Sequence, residues 1–212
     1  MHADVRAAAP PAATAGRRPT EDRRAEIVAA LIRLVAQSGP AEATTARIAA
    51  ELDLTQGAVF KHFPTKEAIR AAAMDWIATS LFEALEAAER GAPSPLEALH
   101  AVYLAHVRFV VAHPGVPALI FNELQQAADS PVKARARALL GRYRSLLVGL
   151  IEAARHEGDV AVDTDSAAAA TLFIGTVQGL MMQAMLSGSM RGMRPRAERV
   201  YGIWLRGIRS AA

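Results

Sequence analysis

Apolar positions recur at three- and four-residue spacing along most of the chain, with no sustained alternation between them, so the sequence predicts an all-α fold. Ile27, Leu31, Leu34 and Val35 form the inward stripe of a first helix that starts near Thr20 and stops at Ser38-Gly39-Pro40. A second helix, capped by Thr44 or Thr45, reaches about Leu52 and buries Ile48, Ala49 and Leu52. The third is confined between Thr55, a good N-cap, and Pro64, which leaves at most about eight helical residues. A fourth follows Thr65 and continues through Trp76 and Phe82 towards Arg90.

Ser94-Pro95-Leu96-Glu97 restarts the chain with an N-cap, a proline at the first helical position and a capping-box glutamate. That fifth helix ends at Pro114-Gly115. A sixth covers roughly Pro117 to Ala127, and a seventh runs from Ser130-Pro131 to about His156. An eighth reaches from Asp165 to Ser187, and a ninth lies near Arg196 to Arg209. The pattern gives about nine helices and no internal repeat. A small N-terminal unit, 20–80, meets a C-terminal helical domain, 81–212, within the fourth helix.

Composition narrows the function classes. Hydrophobic residues make up 52% but aromatics only 5%, so the core is built from Ala, Leu, Val and Ile. The absence of cysteine excludes disulfides, thiolate metal sites and cysteine nucleophiles. The net charge of +3 is mild; of 24 Lys and Arg residues only Lys61, Lys66 and Lys133 are Lys. Arginine suits phosphate, yet an Arg and Ala excess also follows from GC-rich coding, so charge alone decides nothing. Residues 1–19, "MHADVRAAAPPAATAGRRP", lack the continuous apolar core of a secretory signal. They are expected to form a disordered arm ending in the basic pair Arg17-Arg18.

The short third helix carries the chemistry. Two turns are not stable alone in water, so neighbours must hold this helix for a purpose other than core building. At about 100° per residue, Val59 and Phe63 point inward with Phe60 at their edge. Gly57, Ala58, Lys61 and His62 occupy the other side, and Gln56 projects from the exposed start. Small residues let the helix end approach a surface, and the amide, cation and imidazole around it suit base edges and phosphates. The segment 44–63 therefore has the makings of a helix-turn-helix whose second helix enters a major groove. Asp53 stands in the turn, where it tolerates positive φ better than most residues.

The stretch "TTARIAAELDLTQGAVFKHFPTKEAI" resembles the DNA-binding motif of the TetR/AcrR family of transcriptional regulators, with the specific match spanning about Thr20 to Ser80. The resemblance implies phosphate contacts at Thr45, His62 and Lys66, with Thr44 beside them and Thr55 opening the reading helix. It implies base reading at Gln56, Gly57, Ala58 and Lys61. Asp53 replaces the family's usual turn glycine, and Phe60 replaces its usual tyrosine, losing a phosphate-bonding hydroxyl.

Two other constellations invite different chemistry. Glu97-x-x-His100 has the spacing of a helical di-iron pair, but no second Glu-x-x-His exists in the sequence to complete such a site. Ser166 to Met190 carries no charge and contains Gly175-x-x-x-Gly179, as a membrane span could. Polar Thr171, Thr176, Gln178 and Gln183 dilute it, and Ala167, Thr171, Gly175 and Gly179 form one face of small side chains. The reading is a helix buried within one protomer on one side and against a partner on the other. This agrees with the four-helix dimer seam that the resemblance implies. His106, Phe109, His113, Phe121, Asn122, Tyr143, Gln178, Met182 and Met185 are the candidates for an effector pocket of the kind the resemblance implies.

The expectation is a cytoplasmic, homodimeric transcription regulator, not an enzyme, most simply a repressor. It would leave a near-palindromic double-stranded operator when a small apolar or amphipathic effector binds. No cofactor, metal or membrane is implied. The alternatives are a helical metal- or cofactor-binding bundle using Glu97 and His100, and a DNA-binding regulator that needs no effector.

Overall fold

The computed structural model describes residues 20–190 and 192–210; the expected arm 1–19 lies outside the described residues. Those residues form nine helices and no strand. They are α1 (Thr20–Ser38), α2 (Thr45–Glu51), α3 (Gln56–His62), α4 (Lys66–Arg90), α5 (Pro95–Ala112), α6 (Gly115–Gln125), α7 (Pro131–His156), α8 (Ser166–Leu186) and α9 (Met193–Ile208).

Six helices begin where a short polar side chain accepts a hydrogen bond from a backbone N–H of the first turn. Thr44, Thr55, Thr65, Ser94, Ser130 and Asp165 cap α2, α3, α4, α5, α7 and α8 respectively, each satisfying a donor the helix cannot. The second helix is thus capped by Thr44, which puts Thr45 inside it. Two starts differ from expectation. Helix α6 begins at Gly115, before Pro117, and α9 at Met193, before Pro195. Helix α6 was expected to start near Pro117 and α9 near Arg196, but the first-turn N–H groups lack intrahelical acceptors, so Pro117 and Pro195 are tolerated inside the first turn.

One apolar core runs through the molecule. At the N-terminal end Ile27, Leu31 and Val35 share it with Ile48, Val59, Phe63 and Ile69. In the C-terminal domain Tyr103, Phe173, Tyr201 and Trp204 form its aromatic centre, with Phe173 edge-on to Tyr103 at 5.0 Å and to Trp204 at 5.0 Å. The polar ends of these rings are satisfied: Trp204 Nε1 donates to the Ala169 carbonyl at 3.1 Å, and the Tyr103 hydroxyl meets Thr176 Oγ1 at 3.1 Å.

Helix α6 is fastened to the N-terminal unit at both ends. At its start a Cβ on Gly115 would lie 2.1 Å from the Ile32 carbonyl oxygen and 3.0 Å from the Ala36 nitrogen of α1. Only glycine allows two backbones to come that close. Near its other end Glu123, 3% exposed, meets Arg70 of α4 at 3.2 Å. Removing Arg70 would leave the Glu123 carboxylate buried without its partner.

Helix α8 has the length and mean hydropathy, 1.4, to cross a membrane. In the fold it packs against α5, α7 and α9 and buries Ala169, Ala170, Phe173 and Val177. Its opposite face is open: Thr171, Leu172, Gly175, Gly179, Met182 and Gln183 are exposed.

Candidate nucleic-acid interface and interior cavity

Helix α3 is held from outside itself. Thr55 Oγ1 accepts from the Ala58 N–H at 3.1 Å, and Val59 and Phe63 anchor its inner face at 0% and 1% exposure. Arg24 of α1 donates to the His62 carbonyl and lies over the Phe63 ring, 4.0 Å from its centroid, a cation–π contact that pins the far end. The turn before α3 closes on Asp53, whose φ of 53° makes it the non-glycine residue with positive φ among those described. The Leu54 N–H reaches back to the Ala49 carbonyl at 2.8 Å, so α2 ends in the six-to-one bond of a Schellman-type stop.

So supported, α3 leaves its first turn in solvent. Gln56, Gly57 and Lys61 are exposed, Ala58 is half-buried, and Phe60 is 40% exposed. His62 and Lys66 are half-buried, and His62 Nδ1 is enclosed with no hydrogen-bond partner. Thr44 and Thr55 are exposed. Thr45, also expected at phosphate, is 7% exposed: Thr44 takes the cap, and Thr45 lies on the packed side of α2. Arg47 beside them is tied to the Ser38 hydroxyl at 3.0 Å. Arg24 was missed by sequence reasoning, its partner lying 38 residues away.

The second site is a cavity of about 60 Å³ between α4, α5, α6, α7 and α8. His106, Phe109, Phe121, Tyr143 and Gln178 line it, with Ile77, Leu81, Ile120 and Leu124. Asn122 and Met182 were candidates as well. Neither lines the cavity; Met181 does, and Met182, one residue further round α8, is 44% exposed. His113 packs instead edge-on to Trp76 at 5.1 Å, and Met185 is 39% exposed. Within the cavity wall His106 Nδ1 and the Tyr143 hydroxyl are 3.1 Å apart, with the rings edge to face at 5.1 Å. Burial lowers the His106 pKa to about 4 and pushes the Tyr143 phenol up, so both are neutral near pH 7.

His100 has another partner than the one its spacing to Glu97 suggested. It meets Glu198 of α9 at 2.8 Å and stacks on Tyr201 at 4.7 Å. No group of three His, Cys, Asp or Glu among the described residues could hold a metal. On α8, Thr171, Gly175 and Gly179 are exposed and Ala167 is half-buried. A Cβ at Gly175 or Gly179 would meet nothing within 4 Å inside the protomer.

Residues 27–73 match the model of the tetR family of bacterial regulatory proteins, and residues 92–200 match a tetracyclin repressor-like C-terminal domain. Among curated proteins, the nucleoid occlusion factor SlmA of Haemophilus influenzae is 20% identical over 168 residues, 79% of this chain and 77% of its own. Among solved structures, the ketosteroid transcriptional regulator KstR2 of Mycobacterium tuberculosis superposes with a TM-score of 0.75 at 19% identity, covering 89% of this chain and 96% of that one. FadR of Bacillus subtilis in complex with stearoyl-CoA gives 0.76 at 17% identity, covering 87% and 98%. A putative transcriptional regulator of Saccharomonospora viridis in complex with choline gives 0.75 at 19% identity, covering 90% and 100%.

Proposed function

The chain belongs to the tetR family of bacterial regulatory proteins, DNA-binding regulators of transcription rather than enzymes, and from that premise we propose that it is a cytoplasmic, homodimeric repressor released from its operator by a small effector. The observation that carries the reading is the solvated first turn of α3, where Gln56 and Gly57 stand open on a helix secured by Thr55 and Arg24. In this reading unit 20–80 binds the operator. Gln56, Gly57, Ala58 and Lys61 meet base edges, while Thr44, Thr55, His62 and Lys66 face phosphates. Thr45 supports them from beneath, and Phe60 lies against the backbone without the hydroxyl a tyrosine would offer.

Ala167, Thr171, Gly175 and Gly179 form the seam with a second copy, flanked by Leu172, 58% exposed, which a partner would cover. Two α3 helices would then enter successive major grooves of a near-palindromic site. Groove spacing makes such binding sensitive to small changes in their separation. The apolar cavity is the effector site of this reading, and α6 is the route outward, because it walls the cavity between its attachments to α1 and α4. An effector acts only by favouring one arrangement over the other. Neighbours of the same fold are in complex with stearoyl-CoA and with choline, so the fold alone does not choose the effector.

Selection of bound fragments from a random DNA pool tests the reading. Enrichment of a two-fold symmetric site with half-sites about one helical turn apart supports it; no enrichment over bulk DNA refutes it. In the Gly175→Leu/Gly179→Leu variant the protomer has room for both side chains, so it should remain helical by circular dichroism yet sediment as a monomer and lose operator binding. A folded variant that still sediments as a dimer would place the seam elsewhere.

A further inference from the structure

The cavity wall contains no Asp, Glu, Lys or Arg. The nearby carboxylate on α6, Glu123, is engaged with Arg70 and is not part of the lining. Three polar side chains are left in the wall, those of His106, Tyr143 and Gln178. His106 is 8% exposed, and with Nδ1 against the Tyr143 hydroxyl its Nε2 has no hydrogen-bond partner among the described residues. That nitrogen is not among the enclosed side-chain atoms left without a partner; it belongs to a residue that lines the cavity, where it is available to a ligand.

We propose that the cavity takes an electrically neutral, mainly apolar molecule carrying one hydroxyl or carbonyl group, which is anchored on the His106–Tyr143 pair, and that it rejects carboxylates and quaternary ammonium ions. The proposal rests on the reading of this cavity as the effector site. The pair can serve either group because it has two arrangements. When the Tyr143 hydroxyl donates to Nδ1, the second ring nitrogen carries hydrogen and donates to a ligand oxygen. When Nδ1–H donates to the Tyr143 oxygen, the second nitrogen accepts from a ligand hydroxyl, and the phenol is free to donate in turn. An ion finds no such match. Burying a charge with no opposite charge in the wall is far more costly than burying a hydrogen-bonded neutral group. Neither His106 nor Tyr143 can supply the counter-charge, since burial keeps both neutral. The resting cavity, about 60 Å³, is smaller than the ~300–1,000 Å³ of sites for drug-sized ligands. Occupancy therefore displaces the half-buried Ile120, Phe121 and Leu124 of α6.

The test uses the full-length chain at pH 7.5 and four probes of similar apolar size: octan-1-ol, octanoate, octyltrimethylammonium and propylbenzene, each titrated by calorimetry. Octan-1-ol should bind at least ~100-fold more tightly than either ion. His106→Phe should weaken octan-1-ol about tenfold while leaving propylbenzene unchanged, the loss of one hydrogen bond. If that variant does not fold, Tyr143→Phe carries the same comparison. Either ion within tenfold of octan-1-ol, or a substitution that weakens both neutral probes equally or neither, overturns the assignment while leaving the cavity a ligand site. Failure of all four probes to bind the wild-type chain removes the effector reading of the cavity, and the assignment with it.

Discussion

Helix α3 is seven residues long and keeps its first turn in water, whereas the cavity wall is drawn from five helices and is mostly buried. On α3 the groups that hold the inner face and the far end in place, Val59, Phe63 and Arg24, are different from those that face outward, and Thr55 alone does both. In the cavity the same side chains build the core and meet any occupant. In the proposed reading, recognition by α3 is therefore separable from stability, and recognition by the cavity is not. Substitutions should divide along that line.

The largest effect is expected at the edge of the cavity. Gly115→Ala places a methyl group 2.1 Å from the Ile32 oxygen, and α6 must lift from α1. The expected loss is about 3 kcal/mol, at the upper end for overpacked sites, read by urea unfolding at fixed protein concentration; an unchanged midpoint would mean that α6 is not seated there. Next is acid. The His106 pKa is lowered from 6.5 to about 4, so the unfolded chain binds a proton that the fold refuses. The stability present above pH 6.5 is lost as pH falls towards 4, by roughly 3 kcal/mol. His106→Phe should remove that part of the slope, and an identical slope in the variant would assign it to other groups.

On α3 the expectations are reversed. Gln56→Ala should change unfolding by less than about 0.5 kcal/mol yet cost roughly 1–3 kcal/mol of binding at one base pair, relaxing preference there. Unchanged specificity in a binding-site selection would remove Gln56 from base reading. The smallest effect belongs to Phe60→Tyr. It adds a hydroxyl at an exposed position and should tighten binding to all sequences by about 1 kcal/mol or less, with no change in preference. A shift in the preferred bases instead would make Phe60 a reader.

Local signals in the sequence were enough for most helix boundaries. Ser94-Pro95 and Ser130-Pro131 name their helices because cap and proline are adjacent in the chain. Where no polar side chain caps the helix, as before α6 and α9, proline marks the first turn without marking its first residue. Helix α3 was legible because its inward pair, Val59 and Phe63, and its cap, Thr55, all lie within nine positions of one another. Arg24 on Phe63 and Arg70 on Glu123 were not, since nothing in their local sequence points to a distant partner. Of the pocket candidates, His106, Phe109, Phe121, Tyr143 and Gln178 line the cavity, while a turn of about 100° per residue separates Met181 inside from Met182 outside.

The two attachments of α6 have a mechanical consequence. A rod fixed at one end swings when pushed in the middle, and little force arrives at its support. Fixed at both ends, it can only bow, and the load divides between the anchorages. Helix α6 is anchored by backbone contact at Gly115 and by the Arg70–Glu123 pair eight residues on. The half-buried residues between them and beside the pair form one wall of the cavity. Swelling of the cavity would therefore load α1 and α4 together, at two points of the N-terminal unit instead of one.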